Sequence, residues 1–344
     1  MKQKYLFLKG CAGLGNRFIT LLKAIQYAKK TKRTLYVDWA DGMFSEAGIN
    51  AFYKYFTLKN INYTENIDEI IANLNENHSI YPKTINTQEL KESIYDNFWH
   101  CGSFLAWKLP AYRIFITLLF KGKVTSIFGL QSWQRKSEKK YSWIHNILNI
   151  YNEKNIQLGT QLSSRIKSDI VIFTDFRPLI NTSTIFNYVE LKREYYNRFL
   201  DFANKHELTT KAIGIHIRAT DKKPKRQLKK LYKKIDLYLN KNNNYKIFLS
   251  TDNYEILNEL QKKYNGKIIT YPKFLPQDLD GKGIHHWALN HNIQGIKEKM
   301  FEESLADMWI LSMCKILLWQ GNSSFSLMSS ILKQDKNNIH NWMK

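Results

Sequence analysis

The sequence predicts an α/β protein built from two Rossmann-like domains that face each other across a cleft, and three observations carry that prediction. At 344 residues the chain is long for one compact unit and comfortable for two of ordinary size. The stretch from Tyr5 to Asp38 reads strand, glycine loop, helix, strand: a βαβ unit, which implies a parallel sheet with a right-handed crossover. From Ala212 onward strands and helices alternate again, as a second parallel sheet requires.

Taken in order, Tyr5 to Leu8 is an apolar strand, an amphipathic helix runs from about Asn16 to Lys30, and Thr34 to Asp38 is the second strand. Between residues 50 and 165 no topology can be read. Asp169 to Phe176 is a short apolar run with polar flanks, the pattern of a buried strand. In the second half, strands are expected at Ala212 to Arg218, Tyr245 to Thr251, Lys267 to Tyr271 and Ile316 to Gln320. Helices are expected at Lys225 to Lys241, Tyr254 to Tyr264 and Glu302 to Cys314, with a last one capped by Asn322 or Ser323. The loop from Pro272 to about Lys297 carries no element. A domain boundary falls between residues 180 and 208, giving domains 1–185 and 186–344.

Composition narrows the function. The formal charge is +22, yet the lysines are scattered and no nucleic-acid-binding signature accompanies them, so nucleic acid is not an expected partner. Cys11, Cys101 and Cys314 lie far apart without a C-x-x-C pair, which argues against a disulfide framework or structural zinc and for a reducing cytoplasm. No secretory leader is read at the amino terminus. No run reaches the roughly 18 apolar residues of a spanning helix.

Four segments hold candidate chemistry. The loop Gly10-Cys11-Ala12-Gly13-Leu14-Gly15-Asn16-Arg17 joins a strand to a helix, where free N–H groups and the helix dipole favour an anion. Its spacing is not that of a dinucleotide fingerprint, although Asp38 stands at about the distance of the ribose-binding acid. The alternative is a tight turn that simply needs glycine. Ile213 to Lys222 places His216, Arg218, Asp221 and Lys222 at and beyond the carboxyl end of a strand, the edge where open α/β sheets bind ligands. Strand alternation puts His216 and Arg218 on one face, and the planar fork of Arg218 suits a diphosphate. Ser250-Thr251-Asp252 closes the next strand in the same way. Gln320-Gly321-Asn322-Ser323-Ser324-Phe325 leads straight into a helix N-terminus whose hydroxyls and N–H groups suit a phosphate.

These segments, in this order, resemble the fucosyltransferase superfamily. Gly13 to Asn16 and Ala24 to Trp39 are similar to the amino-terminal unit of nodulation-type alpha-1,6-fucosyltransferases, and the glycine part resembles bacterial alpha-1,2-fucosyltransferases. His216-Ile217-Arg218-Ala219-Thr220-Asp221-Lys222 resembles the H-x-R-x-T-D-K strand end of the alpha-1,6 enzymes, with Ala219 where those carry a second arginine and a basic run where they carry a glutamate base. Asp307 to Lys315 and Asn322 to Ser326 look like the superfamily's shared nucleotide-binding end. The resemblance implies a GT-B architecture, a GDP-fucose donor, inversion at the anomeric carbon and no metal requirement. It implies further that Arg218 holds the β-phosphate, His216 lines the nucleotide site, Asp307 pairs with the guanine edge, and Ser323, Ser324 and Phe325 wrap the diphosphate. Asn16 matches the asparagine that protein O-fucosyltransferases place near the reacting bond.

Beside Arg218, Asn16 and Asp221 as catalytic candidates, the donor-binding set expected from these readings is Gly13, Gly15, Arg17, His216, Lys222, Asp252, Asp307, Asn322, Ser323, Ser324 and Phe325. The base that takes the acceptor proton is open among Asp41, Glu46 and Asp221. Two other readings stand beside this one. Asp278-Leu279-Asp280 could hold a divalent cation on the diphosphate of another nucleotide sugar, or the fold could serve a binding module that lacks the chemistry. The glycan acceptor is the second expected partner. The aromatic and basic run from Phe104 to Gly129 has the make-up of an interfacial segment, so peripheral membrane contact is expected there.

Overall fold

In the computed structural model the described residues are 3–10, 12–46, 48–75, 77–81, 162, 165–174, 180–220, 224–277, 284, 287, 291 and 293–344. The expected strip 104–129, and Cys11, Cys101, Asp221, Lys222, Asp278 and Asp280, lie outside them. Contacts divide the chain into two units. The first comprises Met1–Asp41, Ala47–Lys54 and Leu58–Val189, and the second Gly42–Glu46, Tyr55–Thr57 and Glu190–Lys344.

The first unit holds a four-stranded sheet. β1 (Tyr5–Lys9) leads through the glycine loop into α1 (Leu14–Thr31), and β2 (Thr34–Asp38) returns parallel to β1 in the register Tyr5 to Thr34. β4 (Ile80–Tyr81) and β5 (Ile170–Phe173) complete it in the order β2-β1-β5-β4, every pair parallel. β1, β2 and β5 are buried at every position, as strands of a parallel sheet covered on both faces must be. α1 packs Phe18, Leu21, Leu22 and Ile25, all without exposure, toward that sheet. It ends at Lys32, whose left-handed backbone lets its N–H cap the carbonyls of Ala28 and Lys29.

Arg33 fastens the opposite, amino edge of the sheet. Its guanidinium is buried and donates to the carbonyls of Tyr5, Ile166, Ser168 and Asp169, at 2.6 Å for Ser168, so one side chain satisfies acceptors at the start of both β1 and β5.

Four short elements, α2 (Ala51–Tyr55), β3 (Phe56–Leu58), α3 (Ile67–Ala72) and β6 (Val189–Leu191), precede α4 (Arg193–Lys205) and α5 (Leu208–Lys211), with which the long carboxyl-terminal segment of the second unit continues. The sheet follows: β7 (Ala212–Ile217), α6 (Lys225–Lys241), β8 (Lys246–Thr251), α7 (Tyr254–Lys263), β9 (Ile268–Ile269), α8 (Ile296–Met313), β10 (Ile316–Trp319), α9 (Ser324–Leu332) and β11 (Ile339–Asn341). Its order is β11-β10-β7-β8-β9, and every pair is parallel. Successive strands grow outward from β7 through β8 to β9, and then the chain crosses back to lay β10 on the other side of β7. The order therefore reverses between β7 and β10.

α6 presents Leu228, Leu231 and Ile235 to Ile213, Ile215, Ile217 and Ile247 of the sheet, with Trp342 in the same core. Several elements differ in their bounds from the sequence reading, most of them by a residue or two. β9 is two residues long, and β7 stops one residue short of Arg218. α8 begins at Ile296 rather than Glu302, because Gly295 takes a left-handed backbone (φ 73°) that starts the helix without a side-chain cap. Among the described residues no helix is long and apolar enough to cross a membrane.

Candidate functional site

Ligands of open parallel sheets sit outside the carboxyl ends of the strands where the strand order reverses. In the second unit that point lies between β7 and β10, and the sequence places there the ends of both strands together with the N-terminus of α9. The buried hydroxyl of Ser323 caps α9 by accepting from the N–H of Ser326, while the first N–H groups of the helix, at Ser324 and Phe325, have no intrahelical partner by geometry. The terminus thus offers oriented donors and the positive end of a helix dipole.

Gln320 ties the two strand ends together. Its side-chain oxygen accepts from the N–H of Arg218 at 2.7 Å, its amide nitrogen donates to the Arg218 carbonyl and to Asn322 Oδ1, and its own backbone N–H is taken by Ser326 Oγ. Arg218 is consequently held at the backbone beside the start of α9. Gly321 follows with no room for a side chain, since an added Cβ would overlap the amide of Asn341. Of the predicted diphosphate set, Arg218, Ser323, Ser324 and Phe325 are brought to this one crevice, whereas Asn322 is exposed and is engaged by Gln320.

His216 lies underneath, almost wholly buried. Its Nδ1 meets Ser326 Oγ at 3.0 Å, its ring stacks on Phe325 with centroids 5.0 Å apart, and its carbonyl accepts from the Trp342 indole. Burial lowers its pKa to about 3, with the charges of Arg218 and Lys273 adding to the effect. The imidazole is neutral near pH 7 and acts here as a packed wall that fixes Phe325 and the first turn of α9.

On the other side of β7, Asp307 from α8 meets the end of β8. Ser250 Oγ donates to Asp307 Oδ2 at 2.9 Å, and Lys273, from the segment after β9, donates to the same oxygen at 2.6 Å. In the register of the sheet Ser250 is the partner of His216, so Asp307 stands level with the crevice. Its second oxygen, Oδ1, is buried and accepts no hydrogen bond. Burial pushes the carboxyl pKa up, and Lys273 and Ser250 oppose that. Lys273 was not among the expected site residues, because a lysine after a proline in a loop has no distinguishing pattern.

Asp252 has a different task from the one expected. Its Oδ1 accepts from the N–H groups of Ala219 and Thr220, and its Oδ2 from Thr220 Oγ1 at 2.6 Å, so the carboxylate shapes the turn that follows Arg218. Cys314 is a free, buried thiol whose pKa burial raises to about 12; it lies against Gly214, where an added Cβ would come within 2.9 Å of Sγ.

The glycine loop of the first unit is organised around Arg17. Gly13 is the N-cap of α1 in extended conformation, Gly15 is buried in the first turn, and Arg17 is buried with its Nε on the Ala12 carbonyl and its Nη2 on Asp41 Oδ2. The glycine that close packing demands is Gly10, where a Cβ would overlap Arg17 Nη1 and stand 2.7 Å from Trp39. Arg17 is therefore an interior residue of this unit and not a ligand-facing cation as expected. Asp38 is likewise committed, to Lys9 at 2.6 Å and to the N–H of Ala40, which removes the ribose-binding acid of the dinucleotide reading. Glu46 is half-exposed and 3.4 Å from Lys297. Among the described residues no group of three His, Cys, Asp or Glu side chains could hold a metal ion.

The fold has relatives among solved structures. NodZ alpha-1,6-fucosyltransferase soaked with GDP-fucose aligns over 96% of this chain and 93% of its own, with TM-score 0.54 and 17% identity. The fucosyltransferase NodZ from Bradyrhizobium aligns over 96% and 94%, at TM-score 0.54 and 16% identity, and POFUT1 in complex with GDP over 98% of both chains, at 0.51 and 11%. No family model and no curated protein sequence matches the chain. The chain thus has the mixed α/β, parallel-sheet fold of the GT-B fucosyltransferases.

Proposed function

We propose that this protein is an inverting fucosyltransferase, which moves L-fucose from GDP-fucose to a hydroxyl of a glycan acceptor. The observation that carries the reading is Asp307 Oδ1: a buried carboxylate oxygen with no donor, level with a helix N-terminus and Arg218 at the reversal point of the second sheet. A buried acceptor left open asks for a ligand N–H. A guanine edge supplies it, and the helix terminus beside it suits the diphosphate that guanosine carries. The kinship in fold with enzymes crystallised with GDP and GDP-fucose supports the choice of nucleotide and sugar.

In such a transfer the sugar becomes cation-like while charge grows on the leaving diphosphate. Arg218 and the α9 N-terminus are fixed before the reaction begins, so they stabilise that charge more in the transition state than in the ground state. Ser323 keeps the helix start in place, and Phe325 is braced by the neutral ring of His216. Asn16 and the outlying Asp221 and Lys222 complete the expected set.

Under this reading the chemistry needs no metal, the enzyme works in the cytoplasm on a bacterial surface polysaccharide or oligosaccharide, and residues 104–129 touch the inner membrane. Incubation with GDP-fucose and a panel of glycans should release GDP with formation of a fucosylated product, and EDTA should leave the rate unchanged. Release only from UDP- or ADP-sugars, or loss of activity in EDTA that Mg²⁺ or Mn²⁺ restores, would overturn the proposal. Sedimentation with anionic liposomes, reversed by salt, tests the membrane contact.

A further inference from the structure

Resting on that reading, we infer that Lys273 is the positioning residue of the guanosine site: it fixes which oxygen of Asp307 is left for the base and keeps that side chain a carboxylate. Asp307 holds both of its donors on one atom. Lys273 Nζ, at 2.6 Å, and Ser250 Oγ, at 2.9 Å, converge on Oδ2 and leave Oδ1 without a partner. Two donors on one oxygen fix the plane of the carboxylate, and with it the direction in which Oδ1 accepts. All of these groups belong to the second unit. Among the described residues of that unit the other buried side-chain atom without a hydrogen bond is Ser329 Oγ on α9, which makes no bond to Asp307.

The lysine is delivered to this place by its neighbour. Phe274, the next residue, donates its backbone N–H to Glu303 Oε2 at 3.0 Å, and Glu303 lies one turn before Asp307 on the same face of α8. Consecutive residues of the segment after β9 thus grip consecutive turns of one helix. Lys273 and Asp307 are both nearly buried, with 8% and 7% of their side chains exposed. A buried ion pair loses in desolvation about what it gains in attraction, so a neutral pair would hold the segment to α8 as well. What the charged pair alone supplies is an ionised carboxylate, the form that accepts from the adjacent N–H groups of a guanine edge.

Burial pushes the Asp307 carboxyl up, and Lys273 is the charge that opposes it, with the Ser250 hydroxyl adding to the effect. The other titratable groups around Asp307 give no such help. Glu303 on α8 is itself pushed up by burial, with Asp307 adding to that while Lys299 and Lys273 oppose it, and His216 on β7, the partner of Ser250 in the sheet, is neutral. With the ammonium removed, Asp307 is expected to take up a proton near neutral pH. A protonated oxygen facing guanine sets donor against donor, so affinity is lost as pH falls through the raised pKa and returns as pH rises.

The test titrates GDP and UDP into the wild type, Lys273→Met and Lys273→Arg between about pH 6.5 and 8.5 and follows the ratio of the two affinities, in which the shared diphosphate cancels. The preference for GDP should be constant across this range in the wild type and nearly so in Lys273→Arg. In Lys273→Met it should fall by about tenfold at the low end, the loss produced by a pKa one unit above the working pH, and recover as pH rises. If the methionine variant does not fold, Lys273→Gln, which keeps a donor to Oδ2 without the charge, gives the same readout. A preference kept at every pH without the lysine overturns the inference. So does a loss that is equal at every pH, or one that Lys273→Arg shares, either of which would make Lys273 structural. Wild-type protein that binds GDP no better than UDP overturns the functional reading, and this inference with it.

Discussion

At the carboxyl edge of the first sheet the charged side chains pair with one another inside the protein, Lys9 with Asp38 and Arg17 with Asp41, whereas at that of the second sheet one such pair, Lys273 with Asp307, stands beside side chains that bond to backbone. Gln320 holds Arg218 by its N–H and C=O, and Asp252 holds the turn at 219–220. The difference has a consequence for ligands. Buried ion pairs build a stiff floor at the first edge, while side chains that clamp the backbone hold in place at the second a helix terminus and an arginine at a strand end, beside one buried carboxylate oxygen left open.

Breaking the floor should have the largest effect on stability. Lys9→Met leaves Asp38 charged and buried without its cation, and removal of one partner of such a pair costs about 3–5 kcal/mol. A lowered Tm is expected, with GDP affinity of the still-folded protein unchanged; equal loss of GDP binding below the transition would mean that the two edges are not separate in function. Next comes Arg218→Ala, for which kcat should drop by about a hundredfold or more, as loss of one fixed charge donor does, with Tm kept. A folded variant with most of its activity would remove Arg218 from the donor site.

Asp307→Asn should raise KM for GDP-fucose about tenfold, in line with about 1–3 kcal/mol for a buried hydrogen bond to a charged group, and should narrow the preference for GDP- over UDP-sugars. Equal losses with every nucleotide would mark Asp307 as a structural partner of Lys273. The smallest effect near neutral pH concerns His216. Its folded pKa of about 3 lies below the ordinary value of 6.5, so the unfolded chain binds the proton first as pH falls. Its contribution to stability is present above pH 6.5 and is lost progressively down to about 3. Tm measured across that window should therefore vary less with pH in His216→Gln than in the wild type.

Much of this could be read in advance where local signals and burial agree. β2 and α6 have the residues expected, Thr34–Asp38 and Lys225–Lys241, since an all-buried parallel strand is a continuous apolar run and α6 shows one apolar stripe against lysines. Arg218, Ser323 and Ser324 were legible because a strand end followed by a helix start has a chain-local signature. What was not legible is long-range. Nothing near Arg17 shows that it turns inward to Asp41, and nothing near Asp252 shows that its oxygens close on residues 219 and 220, some thirty positions away in sequence. α4 did carry a signal, Tyr195, Phe199 and Ala203 at helical spacing, but it falls where a linker is expected. The segments Gly42–Glu46 and Tyr55–Thr57 join the second unit through Phe44, stacked on Phe301 with 4.2 Å between centroids, and Tyr55, edge-on to the same ring at 5.0 Å, contacts with no mark in the sequence.

The central claim is that the second sheet's edge is a guanosine diphosphate site, and calorimetric titration of the wild-type protein with GDP, ADP and UDP tests it most directly. The account predicts GDP binding at least about tenfold tighter than either rival, since guanine offers a carboxylate two adjacent N–H groups, at N1 and N2, where adenine has a bare N1 and uracil a single N–H between two carbonyls. Equal affinity for the three nucleotides, or no binding of GDP, would contradict it.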